Sequence, residues 1–259
     1  MGEDHQDIYD PAFVADLFDR CSARYRWWSA VASFGLVWVW RRACVQRLGA
    51  MVLIARLKGA ETPKAPRILD LMAGTGEVWP HLLARFPRAH VTAIDISRAM
   101  HDEAVARLHR ARSHAITHIQ TDALTEPLPA ASADLVIATF GLKTLTQAGQ
   151  SLLAAQINTA LAPGGSFALI EASDPRGWAL RPLYLWYLTK ILPLVERALL
   201  RGAQDFSMIG TYTQRFGDCG HFAQQLRAQG LFLTERRHFF GCATSVSGFK
   251  PIAPLGAKP

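Results

Sequence analysis

Two glycines placed between a buried strand and a helix are the residues of this sequence best suited to chemistry. Residues 68–71 are apolar except for Asp70, which predicts a buried strand, and Gly74 and Gly76 follow at once in a G-x-G spacing. Glycine has no Cβ, so such a turn lets a ligand approach the backbone closely at a helix start. Asp95 ends a second apolar run about 20 residues past the glycines, where an acid can hydrogen-bond to ribose hydroxyls. The pattern predicts a site for an adenine nucleoside.

The third glycine of dinucleotide-binding fingerprints is absent, because Trp79 occupies its position. Glu77 also places a negative charge at the helix start, where it would repel a pyrophosphate. A cationic nucleoside fits better, and S-adenosylmethionine (SAM) combines adenosine with a sulfonium and with an ammonium that suits Asp70. The alternative is an ordinary strand–helix turn that binds nothing, and the position of Asp95 argues against it.

Strands and helices alternate from residue 67 onward. The predicted strands are 67–71, 90–94, 115–120, 134–139, 166–171, 231–238 and 243–249, and the predicted helices are 77–86, 99–112, 146–161 and 218–229. This order implies an α/β fold with a parallel sheet, covered by helices on both faces, that binds ligands at the carboxyl ends of its strands. Five polar residues fall at or just past strand ends and are expected to converge there: Asp70, Asp95, Asp122, Thr139 and Glu171.

The first part of the chain is predicted to be helical. Residues 1–62 are expected to form an N-terminal helical cap with helices at 11–25 and 38–58, and residues 63–259 a SAM-binding Rossmann-like domain. An aromatic segment at 178–201, which Pro182 would start and Pro193 would kink, predicts a helical lid at about 176–212, and a loop is expected between it and the helix at 218–229.

The apolar run at 27–40 contains four tryptophans, which are Trp27, Trp28, Trp38 and Trp40. At about 14 residues the run is shorter than the roughly 20 that cross a bilayer. Two interpretations stay open: a helix that lies in a membrane surface, where tryptophan is favoured, or a helix packed on the domain with some tryptophans half exposed.

The chain of 259 residues carries a formal net charge of +7, which bounds its partners. The basic residues form no clustered stripe, so nucleic acid is not expected, and an anionic membrane surface or a solvated basic surface remains. Four scattered cysteines and an acidic N-terminus without a signal peptide predict a cytoplasmic location, with peripheral contact to the inner membrane surface as a further option. No metal site is predicted, and His114 and His118 are interpreted as surface histidines.

Motifs that extend over almost the whole chain carry a resemblance to a known family. They are Ser33-Phe34-Gly35-Leu36, Trp40-Arg41-Arg42, Ala73-Gly74-Thr75-Gly76, Asp95-Ile96-Ser97, Asp122-Ala123, Phe140-Gly141-Leu142, Leu161-Ala162-Pro163-Gly164-Gly165 and Tyr212-Thr213. The sequence resembles the ubiquinone/menaquinone biosynthesis methyltransferases, a class I SAM-dependent group that methylates a ring carbon of prenylated quinols.

The resemblance implies a seven-stranded class I SAM-methyltransferase sheet, SAM as cofactor and a lipophilic quinone or quinol as substrate; a homodimer is left open. It also implies which residues contact or frame SAM: Asp70, Gly74, Thr75, Gly76, Asp95, Met100, Asp122, Ala123 and Thr139.

The residues after Phe140-Gly141-Leu142 depart from the family. Lys143 and Thr144 stand where the family has Arg-Asn, a pair thought to help deprotonate the quinol. Methylation of a ring carbon needs an ionised neighbouring oxygen, and therefore a group that accepts its proton. Lys143 is the first candidate catalytic residue, as a cation beside the quinolate, and Glu171 and Tyr212 are further candidates.

Two other functions are compatible with the same motifs. The enzyme that forms rhodoquinone resembles this family and uses SAM to replace a ring methoxy group by an amino group. A non-catalytic SAM-fold partner within a quinone-synthesis complex is the third hypothesis.

Overall fold

The apolar runs predicted as strands form one seven-stranded sheet in the computed structural model, which describes residues 7–111, 113–199 and 208–252. The strands are β1 Arg67–Leu71, β2 His90–Asp95, β3 Ile116–Gln120, β4 Ala133–Thr139, β5 Leu161–Ala172, β6 Phe232–His238 and β7 Ala243–Phe249. They lie in the order β3-β2-β1-β4-β5-β7-β6. Only β7 runs antiparallel to its neighbours, β5 and β6. The predicted fold class is confirmed. Strands β2 and β3 are added on one side of β1 and the later strands on its other side, beginning with β4. Sheets of this kind bind ligands at the point where the strand order reverses.

The described helices are α1 Pro11–Ala32, α2 Leu36–Leu57, α3 Trp79–Arg85, α4 Arg98–Ala111, α5 Gln147–Ala160, α6 Arg181–Trp186, α7 Leu192–Leu199, α8 Met208–Phe216 and α9 Gly220–Ala228. The prediction of a loop between the aromatic segment and residue 218 was wrong in part, because residues 208–216 form α8. The predicted lid helix is interrupted by a π-helical turn at Tyr187–Ile191, just before Pro193. Residues 200–207 of the predicted lid lie outside the described part of the chain.

Apolar side chains on the two faces of the sheet form separate buried clusters. On one face α2 contributes Trp40, Cys44 and Leu48 to the cluster that contains Ile68 of β1 and Ile137 of β4. On the other face the cluster is built from α5, α9 and the opposite side chains of the same strands. Helix α2 therefore contributes to the buried core on one face of the sheet.

Helix α1 lies over the carboxyl edge of the sheet. Cys21 and Trp28 of α1 share a small buried cluster with Met100 of α4 and with Leu188 and Leu192 of the lid. Asp19 of α1 accepts hydrogen bonds at the first turn of α4, from the Ser97 hydroxyl and the Ala99 backbone nitrogen. These contacts fix α1 above the strand ends that are predicted to bind the ligand.

A turn at Gly35 divides the tryptophan-rich run into the end of α1 and the start of α2. Gly35 has φ +78°, a left-handed conformation in which glycine is favoured. Trp28 and Trp40 are buried, whereas Trp27 and Trp38 are about half exposed, which is the pattern expected for helices packed on the domain. Contact of the exposed pair with a membrane surface stays a prediction. None of the described helices is long and apolar enough to cross a bilayer.

Candidate active site

The glycine turn between β1 and α3 needs glycine at both positions. Gly74 and Gly76 have φ values of +56° and +81°, and a Cβ on Gly76 would lie 2.2 Å from the Trp79 ring. The backbone nitrogen of Gly74 donates to Asp95 Oδ2 at 2.7 Å, and Ser97 N donates to Oδ1 at 2.9 Å. Asp95 thus ties the end of β2 to the turn after β1.

Side chains behind the turn hold its carbonyl groups. His118 Nε2 lies 3.1 Å from the Gly74 oxygen, and Arg107 donates to the Thr75 oxygen at 2.8 Å. The interpretation of His118 as a surface residue was wrong: β3 places its ring beneath the turn, where it is buried, 3.0 Å from His101 Nδ1. Burial lowers the pKa of His118 to about 4, so the ring is neutral at pH 7 and donates from Nε2.

Asp70 lies behind the glycine turn, and its side chain does not line the cavity at the carboxyl edge of the sheet. Its Oδ2 accepts from Trp79 Nε1 at 2.9 Å, and its Oδ1 has no hydrogen-bond partner among the described residues. Burial raises the pKa of Asp70 to about 8 despite the Trp79 bond. The sequence assigned Asp70 to the ammonium of SAM, but Glu77 is the nearby acid whose side chain lines the cavity.

A cavity of about 120 Å³, here called the cofactor cavity, opens at the carboxyl edge of β1, β2 and β4. Six residues predicted as SAM contacts line it: Gly74, Asp95, Met100, Asp122, Ala123 and Thr139. Thr75 and Gly76 do not line it and belong to the turn itself. Arg41, Glu77 and Tyr25 also line the cavity, and the sequence analysis did not assign them to the site.

A second cavity of about 490 Å³, here called the apolar cavity, lies between α1, α2, the lid and α8. Four residues line both cavities and mark their junction: Phe18, Tyr25, Phe140 and Thr144. Aliphatic and aromatic side chains make up most of its wall, and Phe34, Leu183 and Trp186 line it while remaining exposed at the surface. The two cavities therefore lie next to each other.

The predicted catalytic residues lie beside the apolar cavity, and Lys143 and Glu171 form a buried ion pair. Lys143 Nζ is 2.7 Å from Glu171 Oε1, and the Lys143 backbone nitrogen donates to Oε2 at 3.1 Å. Lys143 lines the apolar cavity, whereas Glu171 is fully buried behind it. Tyr212 also lines the cavity, but its hydroxyl donates to the Ile8 carbonyl, and burial raises its pKa to about 12.

Comparison with known proteins identifies the family. Residues 4–250 match the model of the ubiE/COQ5 methyltransferase family. The chain belongs to this family. A ubiquinone/menaquinone biosynthesis C-methyltransferase UbiE from Syntrophotalea carbinolica is 31% identical over 253 residues, which cover 97% of this chain and 99% of that protein. The demethylmenaquinone methyltransferase of Geobacillus stearothermophilus is 25% identical over 240 residues, covering 92% of this chain and 96% of that protein.

Solved structures share the fold of this ubiE/COQ5 family member at low sequence identity. The Haemonchus contortus phosphoethanolamine N-methyltransferase 2 with S-adenosylhomocysteine has a TM-score of 0.64 at 15% identity, and the match covers 95% of this chain and 60% of that one. Human N-acetylserotonin methyltransferase with SAM has a TM-score of 0.54 at 21% identity, covering 89% of this chain and 58% of that one. The chain thus spans about three fifths of these solved chains.

The lining of the cofactor cavity matches the chemistry of SAM. The described charged residues that line it are Arg41, Glu77, Asp95 and Asp122, so its lining is net acidic and suits a ligand with a positive sulfonium. Asp95, Asp122, Met100 and Ala123 all line the cavity, so the carboxylates and the apolar residues that the sequence assigned to ribose and adenine lie together. The chain is a SAM-dependent methyltransferase, and the predicted cofactor is confirmed.

We expect SAM affinity to fall below about pH 6, because burial raises the pKa of Asp95 to about 6. Ribose hydroxyls and a cationic ligand favour the ionised form, which is the dominant form only above that pKa. The Kd measured by calorimetry should be flat between pH 7 and 8 and rise toward roughly tenfold per pH unit below 6.

The matched variant for this experiment is Asp95→Asn. It should bind SAM more weakly at pH 7 and show little further loss between pH 7 and 5. A variant with the same pH profile as the original protein would assign the titration to another group.

Proposed function

We propose that this SAM-dependent methyltransferase acts in quinone biosynthesis and methylates a ring carbon of a lipophilic, prenylated quinol. The observation that carries the proposal is the apolar cavity, whose 490 Å³ adjoins the cofactor cavity at Phe140 and Thr144. A prenylated quinol has a small polar ring and a long apolar tail. Lys143 and Thr144 provide polar groups near the junction, and the aromatic wall matches the tail. The printed names of the relatives support this substrate class.

The side chains would act mainly by positioning the quinol ring and by placing a positive charge near its oxygen. SAM supplies an activated methyl group on its sulfonium. Phe140 and Thr144, which line both cavities, would hold the quinol ring against that end of the cofactor, and the apolar wall would exclude water. Lys143, paired with Glu171 as ammonium and carboxylate, would present a positive charge to the quinol oxygen as it ionises.

A group that accepts the quinol proton is not evident at the ring. The described residues that line the apolar cavity include no Asp, Glu or His. The Tyr212 hydroxyl is a poor acceptor at neutral pH, since its pKa is raised to about 12 and it donates to Ile8. The proton would leave toward Glu171 through Lys143 or to water.

A second candidate is replacement of a ring methoxy group by an amino group, as in rhodoquinone formation. An oxidised quinone ring is electrophilic, so substitution on it requires no ionised quinol. This reaction would use the same two cavities, with SAM as amino donor.

Product mass distinguishes the two reactions. We expect purified protein, incubated with SAM labelled in its methyl group and with a prenylated quinol that lacks one ring methyl, to yield a quinone carrying the label. A parallel incubation with ubiquinone and SAM labelled in its amino nitrogen should leave ubiquinone unchanged. Exchange of methoxy for labelled amino would support the second candidate, and no product in either reaction would contradict both.

We expect Lys143→Met to reduce kcat at least tenfold while the Kd for SAM changes less than about threefold, because Lys143 lines only the apolar cavity. The variant should also be destabilised by about 3–5 kcal/mol, since it leaves the buried Glu171 carboxylate unpaired.

The double variant Lys143→Met/Glu171→Gln separates the two effects. It removes the unpaired charge and keeps one oxygen for the two backbone donors, Lys143 N and Ala172 N, so stability in urea should return in part. Recovery of activity together with stability would show that Lys143 is structural only.

We also propose that the mouth of the apolar cavity contacts a membrane that holds the lipophilic substrate. Phe34 is 78% exposed, and Leu183 and Trp186 are more than half exposed beside it. The net charge of +7 suits an anionic lipid surface. Contact at this point would let a prenyl tail pass from lipid into the cavity without crossing water.

We expect Phe34→Ser/Leu183→Ser to weaken binding to phosphatidylglycerol vesicles by about tenfold or more in co-sedimentation, because two apolar side chains are removed. Leu53→Ser/Leu57→Ser is the matched control, since these residues are 59% and 80% exposed near the opposite end of α2. Equal losses in both double variants would contradict a defined contact at the cavity mouth.

A further inference from the structure

Arg41 and Glu77 are opposite charges buried together at one end of the cofactor cavity. Both side chains are 3% exposed, and Arg41 Nη2 lies 3.7 Å from Glu77 Oε2. This distance permits attraction but exceeds that of a hydrogen bond. Among the described residues, Arg41 Nε has no hydrogen-bond partner. Such incomplete pairing is costly for buried charges unless a ligand completes it.

The position of the pair relative to the glycine turn indicates which part of a ligand it meets. Glu77 Oε2 lies 3.6 Å from where a Cβ of Gly74 would be, so the carboxylate stands beside the turn. The Thr75 hydroxyl donates to the other oxygen, Oε1. Asp122 and Ala123, which are assigned to the nucleoside, lie on different elements of the lining. The pair therefore belongs to the end that is left for the amino-acid portion of SAM.

That portion is a zwitterion with one carboxylate and one ammonium group. Arg41 is the only cationic residue among the described residues that line the cofactor cavity. A guanidinium offers several N–H donors in a plane, which suits a carboxylate, and a glutamate suits an ammonium. The ring of Phe140, 5.3 Å from the Arg41 guanidinium carbon, covers the cation on one side.

We propose that Arg41 binds the carboxylate of SAM and Glu77 binds its ammonium group. The two side chains then form a pair that recognises the zwitterion. Glu77 Oε1 already has the Thr75 hydroxyl and, at 3.8 Å, Arg26 Nε, so the cofactor carboxylate chiefly supplies an acceptor for Arg41, whose Nε has none among the described residues. This assignment rests on SAM as the cofactor and is independent of which substrate is methylated. It gives Arg41 a role in specificity, because the site would then bind SAM in preference to decarboxylated SAM.

The test compares the binding of SAM and decarboxylated SAM by calorimetry in the original protein and in Arg41→Met. Decarboxylation makes the ligand more positive, which an acidic cavity favours, so a preference for SAM would require a specific carboxylate contact. We expect the original protein to bind SAM roughly ten- to a hundredfold more tightly than decarboxylated SAM, the range for a charged hydrogen bond. In Arg41→Met this preference should vanish.

The matched control is Arg42→Met, which removes the same charge from the neighbouring, exposed position on α2 and should keep the preference for SAM. Should Arg41→Met fail to fold, as judged by circular dichroism, Arg41→Met/Glu77→Gln carries the same comparison without an unpaired buried acid. Equal binding of both ligands by the original protein, or a preference retained without Arg41, overturns the proposal. Failure of the original protein to bind either ligand would instead contradict SAM as the cofactor.

Discussion

The carboxylate of Asp95 is the constraint on which the site depends. Its two oxygens accept from Gly74 N and Ser97 N, so one side chain at the end of β2 fixes both the turn before α3 and the start of α4. The hydroxyl of Ser97 in turn accepts from Met100 N, which positions a residue that lines the cofactor cavity. Burial raises the pKa of Asp95 toward neutrality, a cost to the folded state that is consistent with a ligand-binding role.

The sheet could be predicted because its signals are local. Apolar runs, turn residues and the spacing of Gly74 and Asp95 lie within short windows, and they fixed β1 and β7 to the residue. Helix α8 was expected in part as a loop because its stability is not local: a Cβ added to Gly210 would lie 3.1 Å from the Leu188 carbonyl oxygen, so its close packing on the lid depends on the missing side chain. The burial of His118 depends likewise on β3 lying beside β2 under the turn.

The residues that follow strand ends were assigned to the cavity from the sequence, whereas Arg41 and Tyr25, which the first two helices supply, were not. Arg41 and Glu77 lie far apart in the sequence, and only the packing of α2 on the sheet brings them together. A signal for Arg41 was nevertheless present. Val37, Trp40, Cys44 and Leu48 recur at helical spacing on the buried face of α2, and Arg41 falls on that same face. A cation on an otherwise apolar face needs a partner of opposite charge.

Phe140 lies where the two cavities meet, and its conformation reflects that position. Its φ of +66° is unfavourable for a residue with a Cβ, at a cost of about 1–2 kcal/mol. The Ile170 carbonyl accepts from its backbone nitrogen at 2.9 Å, so the strain is held by the sheet itself. Its ring then has the Arg41 guanidinium 5.3 Å away and the Lys143 ammonium 6.0 Å away. One strained residue thus separates a cation in the cofactor cavity from a cation in the apolar cavity, at the junction of the two cavities.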